Sequence, residues 1–240
     1  MTDNKFKAII FDAESTLFGE RVERAQVFLD KANEFGAELS CIDHVTAELN
    51  RAEAAMPKTI DNNISLSTTW TKELNRQVYS SLGLSAGDAL KAAKDTVAYY
   101  SKAKSYFVYP DVAESLKALS VAKIPMGVLA NWDENLPDLI KRLRLDKFFD
   151  FVVPSAELRT PKPERAIFDR VLFRCGIAAG DALHIGADFD RDINGALNAG
   201  MSVLLMDRQN NIESPIYEGV KVVSSLYDVL DCCELTAHGI

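Results

Sequence analysis

Phe6-Lys7-Ala8-Ile9-Ile10-Phe11-Asp12-Ala13-Glu14-Ser15-Thr16-Leu17 reads as a short apolar strand that breaks, at Asp12, into a loop without glycine. A carboxylate at that break is the most informative residue of the chain. Strand ends in α/β sheets line ligand crevices, and a carboxylate fixed there can attack an electrophile and form a covalent ester. The plainer alternative is an aspartate that caps the turn after a strand. The choice between them depends on what else the chain brings to the same edge.

Working outward, three further pieces follow in order: Val128-Leu129-Ala130-Asn131 at the end of another apolar run, Lys162 between Pro161 and Pro163, and Leu183-His184-Ile185-Gly186-Ala187-Asp188-Phe189-Asp190-Arg191-Asp192, a strand running into an acidic loop. From Pro110 onward, apolar runs alternate with helical patterns. Helices are expected near Asp111 to Ala122, Asn135 to Leu143, Pro163 to Cys175, Arg191 to Ala199 and Ser225 to Cys233. Strands are expected at Pro125 to Ala130, Phe151 to Val153, Leu183 to Ile185, Met201 to Leu205 and Lys221 to Val223. Such alternation implies right-handed crossovers and a parallel sheet covered on both faces, which sets Asp12, Asn131 and Asp188 on one edge. Between Glu20 and Phe107 the pattern is helical with no convincing strand. Val22, Ala25, Phe28, Leu29, Ala32 and Phe35 fall on one face, and further helices are expected at Asp43 to Ala55, Ser67 to Leu82 and Ala86 to Lys102.

Taken together, the four pieces resemble the four motifs of the haloacid dehalogenase superfamily, over nearly the whole chain. The resemblance implies a Rossmann-like parallel sheet core, residues 1–18 and 108–240, with an inserted all-helical cap, residues 19–107, and re-entry at Tyr109-Pro110-Asp111. It implies that Asp12 is a nucleophile forming an aspartyl phosphate, that Lys162 steadies nucleophile and phosphoryl group, and that Glu14 takes the place of the usual second Asp as proton donor. Asn131, Thr16 and Trp132 are the candidate substrate contacts. Mg²⁺ is the implied cofactor, with Asp12, Glu14, Asp188 and Asp192 as its candidate ligands.

Three positions depart from the family pattern. Glu14 carries one methylene more than Asp and displaces the proton donor by more than an ångström, a misplacement that costs on the order of a hundredfold. Ala130 stands where a hydroxyl usually donates to phosphate, a loss of roughly 3–4 kcal/mol by analogy with an oxyanion donor. Ala187 takes the place of an acidic ligand, with Asp188 one step later. Asp190 is read as a helix-capping charge, and His184, inside an apolar run, as structural. Arg159 and Arg191 are potential anion contacts.

The reading that follows is an Mg-dependent phosphatase of a small phosphorylated metabolite. A catalytically impaired binding or regulatory relative and a metal-free 2-haloacid dehalogenase are the alternatives. The 240 residues, 48% hydrophobic, suffice for a large core in one domain with an insertion or in two domains. A net charge of -8 argues against nucleic acid or an anionic membrane as partner. The polar start lacks an apolar h-region and no run approaches a membrane span, so a cytoplasmic protein is expected. Self-association as a homodimer is left open. Cys41, Cys175, Cys232 and Cys233 form no Cys-x-x-Cys pair and are expected reduced.

Overall fold

The opening apolar run is strand β1 (Ala8–Phe11), every residue of it buried. Side chains buried on both faces are what a central parallel strand requires, and this explains why the run is continuously apolar rather than alternating. The computed structural model describes residues 5–60, 63–212 and 219–235. The chain divides into two compact units: one holds residues 5–19, Val108–Asn131 and residues 136–235, the other Glu20–Phe107 with Trp132–Asn135.

In chain order, β1 is followed by β2 (Phe18–Glu20), α1 (Arg24–Glu34), α2 (Ile42–Ala55), β3 (Thr59–Ile60), β4 (Asn63–Ile64), α3 (Thr68–Ser81), α4 (Ala86–Tyr100) and β5 (Tyr106–Val108). Then come α5 (Val112–Val121), β6 (Met126–Ala130), α6 (Leu136–Arg142), β7 (Phe151–Pro154), α7 (Ser155–Leu158), α8 (Arg165–Cys175) and β8 (Ala182–Gly186). After a π-helical turn at Phe189–Asn194 the chain continues through α9 (Gly195–Asn198), β9 (Ser202–Met206), β10 (Lys221–Val223) and α10 (Leu226–Cys232).

The first unit is built on a six-stranded sheet in the order β10-β9-β8-β1-β6-β7, parallel throughout. This is the α/β core that the alternating pattern predicts. With β1 between β8 and β6, Phe11 lies beside both Ile185 and Val128, so the residues after these three strands emerge together at one edge. One side of the sheet packs Ile10, Leu129 and Val153 against Ile167, Phe168 and Val171 of α8.

The second unit is helical. Ala25, Phe28, Leu29 and Ala32 of α1 are buried with Leu74, Val78 and Tyr79 of α3 and Ala89, Ala92 and Ala93 of α4. Phe28 stacks on Tyr79 at 4.9 Å, and the Tyr79 hydroxyl meets its polar need with Thr96 Oγ1 at 2.6 Å. Trp70 is packed in this core, with Nε1 donating to the Pro57 carbonyl at 2.7 Å. Two expectations change here. Val22 precedes α1 and is 37% exposed rather than on its buried face, and short strands, the antiparallel pair β3 with β4 and the start of β5, lie where no strand is expected. Two-residue strands carry too little alternation to register as a pattern. Among the described residues no helix is long and apolar enough to cross a membrane.

Candidate active site

Asp12 follows the central strand directly, and its backbone N–H still donates to Ile185 O of β8 at 2.8 Å. The strand ladder therefore fixes the residue while its side chain leaves the sheet. The Lys162 ammonium donates to Asp12 Oδ1 at 2.6 Å, to Asp192 Oδ1 at 2.5 Å and to the Leu129 carbonyl at 3.0 Å. All three ammonium protons are thus spent, and the side chain is only 2% exposed. The other oxygen of Asp12 takes no hydrogen bond from the described residues, and the Asp12 side chain keeps 15% of its surface accessible.

Asn131 explains how Lys162 is aimed. Its Oδ1 accepts from Lys162 N at 2.7 Å and its Nδ2 donates to Lys162 O at 3.0 Å, so the amide reads both backbone groups of that residue. Both ends of the Asn131 side chain are committed to this role rather than turned to a ligand. Ala130, at the last position of β6, is buried and offers no donor.

Asp192 is 2% exposed and held from several sides. Oδ1 accepts from Lys162 and from His184 Nε2 at 3.3 Å, and Oδ2 accepts from Asp188 N at 3.0 Å. Because the carboxylate is the acceptor, His184 carries its proton on Nε2, and its ring stands edge-on to Phe168 at 5.4 Å. His184 is therefore a positioning residue for Asp192. The π-helical turn delivers Asp192 to the interior, and Gly186 makes room for it: a Cβ at 186 would sit 2.3 Å from Asp192 Cγ.

Asp188 does not join this cluster through its side chain. Its Oδ1 accepts from Arg191 N at 2.7 Å and its Oδ2 from the Arg191 guanidinium at 2.8 Å, so it caps the turn. Asp190 instead accepts from Asn194 Nδ2 at 3.0 Å on the surface, a side-chain pair within the turn, whose N-cap is Asp188. Glu14 lies half-buried in the loop after Asp12, bridged through its backbone to Phe18. Thr16 is completely buried with Oγ1 unpartnered among the described residues. Trp132 belongs to the helical unit, where its ring lies 6.1 Å from Tyr106.

Burial pushes the Asp12 carboxyl up to about 6, Asp192 adds to this by repulsion, and Lys162 only partly offsets both. Burial acts on Asp192 in the same direction, but the Lys162 charge and the His184 hydrogen bond outweigh it and hold this carboxyl below the usual range. Burial disfavours the Lys162 cation, yet its two carboxylate partners hold its pKa above the ordinary value. The interior thus stores an ionised Asp192–Lys162 pair beside a carboxylate whose charge is less well compensated.

One arrangement has no precedent in the sequence reading. Arg208, 7% exposed at its side chain, donates to Asp111 Oδ2 at 2.7 Å and to the Thr16 carbonyl at 2.5 Å, with its guanidinium carbon 4.2 Å from the Tyr109 ring centroid. Asp111 Oδ2 also accepts from Leu226 N at 2.5 Å. A buried Arg–Asp pair therefore ties the loop after the nucleophile to the re-entry segment and to α10. The arginine beyond β9 is the only sequence signal for it, and nothing marks such a residue as buried until the partners are known.

Among the described residues no group of three or more His, Cys, Asp or Glu is arranged to hold a metal ion. Asp12, with an uncommitted oxygen, and Asp192, whose Oδ2 meets a single backbone N–H, still fit Mg²⁺, which is commonly held by one or two carboxylates completed by substrate phosphate and water. Asp188 is engaged by Arg191, and Ala187 has no donor.

Residues 9–206 match the family described as haloacid dehalogenase-like hydrolase. Over 206 residues the chain is 24% identical to haloacid dehalogenase-like hydrolase domain-containing protein 3 of Danio rerio, covering 84% of this chain and 85% of that one. It is 33% identical over 107 residues to a glyceraldehyde 3-phosphate phosphatase of Methanothermobacter thermautotrophicus, covering 42% of this chain and 45% of the relative. The fold is shared with a 2-haloacid dehalogenase from Pseudomonas syringae at 20% identity and a TM-score of 0.66, covering 94% of this chain and 97% of the other.

Proposed function

This chain belongs to the haloacid dehalogenase-like hydrolases, and we propose that within that family it hydrolyses phosphate monoesters of small metabolites, with Asp12 as the transiently phosphorylated group. The observation that carries this reading is the Lys162 ammonium, buried and shared between Asp12 and Asp192. It pins one oxygen of the nucleophile and leaves the other accessible. The phosphatase named among the relatives supports the substrate class.

In the first step the free Asp12 oxygen forms a bond to phosphorus while the bond from phosphorus to the ester oxygen breaks. Glu14 gives its proton to the departing alkoxide. In the second step Glu14 takes a proton from water, the water oxygen bonds to phosphorus, and the acyl phosphate opens to inorganic phosphate and a restored Asp12 carboxylate. Lys162 holds Asp12 in place through both steps. Mg²⁺, bound through Asp12 and Asp192, would supply charge neutralisation between carboxylate and phosphate.

The test is phosphate release from a generic ester by the purified chain, with Asp12→Asn as the paired variant. Turnover by the unmodified protein and none by the variant is expected; no turnover across a broad panel of esters would leave a binding protein with this fold. Ala187, a position without a ligating group, favours a second reading in which Asp12 attacks the carbon of a 2-haloacid. Halide release in the presence of a chelator would establish it in place of the first.

A further inference from the structure

We propose that Arg208 is a positioning residue for the 12–17 loop and, through that loop, fixes the reach of Glu14 to the leaving group. The part played by Glu14 rests on the phosphatase reading; the placement of the loop rests on geometry. The guanidinium donates through Nη2 to the Thr16 carbonyl at 2.5 Å and through Nη1 to Asp111 Oδ2 at 2.7 Å. Thr16 stands two residues after Glu14 and four after Asp12. The next carbonyl, that of Leu17, accepts from Tyr109 N at 3.2 Å, and the Tyr109 ring lies against the same guanidinium, 4.2 Å from its carbon. Residues distant in sequence thus take hold of the loop at two successive carbonyls.

The loop needs such a hold. Ser15 has a φ of 59°, in the left-handed region that residues with a side chain rarely adopt, and such a conformation persists only where its surroundings over-determine it. Ser15 N donates to Phe18 O at 2.8 Å and Leu17 N to Ala13 O at 2.8 Å, so Glu14 sits within a tight reversal of the chain. These internal bonds give the loop its shape. Arg208 and Tyr109 fix where its far end lies.

The energetics favour placement over stability as the role of the pair. A buried ion pair is weak evidence for stability, since well-packed apolar side chains of similar volume commonly serve as well or better. This one is not saturated, because Arg208 Nε is buried with no acceptor among the described residues. What the planar fork achieves, and an apolar side chain does not, is to bridge the Asp111 carboxylate and the Thr16 carbonyl in one fixed geometry. Burial pushes the Tyr109 phenol above its ordinary value, with the Arg208 charge acting against the shift and the Glu14 charge adding to it. Glu14 and Arg208 therefore bear on the same ring.

The leaving-group dependence of hydrolysis in Arg208→Lys tests this. Lysine keeps the charge beside Asp111 as a compact ammonium, without the fork. An alkyl phosphate needs the Glu14 proton, whereas p-nitrophenolate departs without one. A displaced Glu14 is expected to lower kcat for the alkyl ester on the order of tenfold to a hundredfold, with KM little changed and the p-nitrophenyl ester much less affected. Should Arg208→Lys fail to fold, Arg208→Met combined with Asp111→Asn removes both charges, keeps an oxygen for the Leu226 N–H, and is expected to show the same pattern. Equal losses on the two esters, or none, overturn the proposal and leave the phosphatase reading standing. If the unmodified chain turns over no ester, that reading fails and backbone hydrogen exchange decides the placement. Ser15, Leu17 and Phe18 are then expected to lose protection in the variant while Ile9 of β1 keeps it, and unchanged protection in the loop overturns the proposal.

Discussion

Replacing Lys162 by Met removes one charge and three hydrogen bonds from a position that water does not reach. The Met side chain fills much of the aliphatic volume, so the cost is electrostatic rather than a cavity. Asp12 and Asp192 are left facing one another, the latter 2% exposed, with no cation between them. Breaking a buried pair by removing one partner typically costs about 3–5 kcal/mol. For a chain of this length each kcal/mol moves the melting temperature by roughly 2–4 °C, so a fall of roughly 6–20 °C is expected. Both tryptophans, Trp70 and Trp132, lie in the helical unit, whereas Lys162 lies in the sheet unit. Calorimetry or far-ultraviolet circular dichroism is therefore the appropriate assay, because tryptophan fluorescence follows the other unit.

The pH dependence makes the test specific. In the wild type Asp192 is held low chiefly against burial by Lys162, so the stability it contributes is present above the unfolded carboxylate value of about 3.9 and lost only as pH falls below it. Without Lys162, burial dominates and both carboxyls rise above their unfolded values. A group raised in this way stabilises below its unfolded pKa and loses that contribution as pH rises through its folded pKa. The deficit of Lys162→Met relative to wild type should therefore be smaller at about pH 5 than at about pH 8, since one proton taken up by the folded variant relieves the repulsion. A deficit below about 1 kcal/mol, the scale of an exposed pair, or one that does not change between those two pH values, refutes the claim that this ammonium balances two buried carboxylates.

Two further outcomes are expected. Ester hydrolysis should lose rate as pH falls through the Asp12 value of about 6, because the nucleophile is then protonated, and a profile flat down to about pH 4, an ordinary carboxylate value, would refute the claim that burial raises Asp12. Gly186→Ala places a methyl group 2.3 Å from Asp192 Cγ and should force that carboxylate off Lys162, with a loss of about 1–3 kcal/mol read from the urea midpoint.

The parallel core was legible because its signal is cumulative. Each strand is a short apolar run that is ambiguous alone, but alternation with helices, repeated from Pro110 to Cys233, restricts the chirality and so the sheet edge on which Asp12, Asn131 and the acidic loop must meet. The helical unit was legible through the spacing of Phe28, Leu29 and Ala32, while β3 and β4 were too short to impose a period. Within the site, Asp12 was placeable because a strand end is a fixed point, whereas Lys162 lies in the loop before α8 and its meeting with Asp12 was implied only by the family resemblance.

The acidic loop was not legible to the same degree, and the reason is geometric. Asp188, Asp190 and Asp192 alternate in sequence, and in an extended segment they would all face one way. The chain instead enters a π-helical turn at Phe189–Asn194, whose wider spacing separates them: Asp192 goes inward onto Lys162 and His184, while Asp188 stays at the mouth with Arg191. What selects this path is a set of long-range partners, the ammonium from position 162, the imidazole from 184 and the empty face of Gly186, none of which a local reading of three aspartates contains. Asn131 shows the same limit from the other side. An amide at a strand end suggests a ligand contact, yet its two polar atoms match the N–H and C=O of Lys162 and are consumed there. Residue type and strand position together identify where chemistry gathers. Which of the gathered groups remains free for a ligand is decided by hydrogen-bond saturation, and that is a property of the folded neighbourhood rather than of the motif.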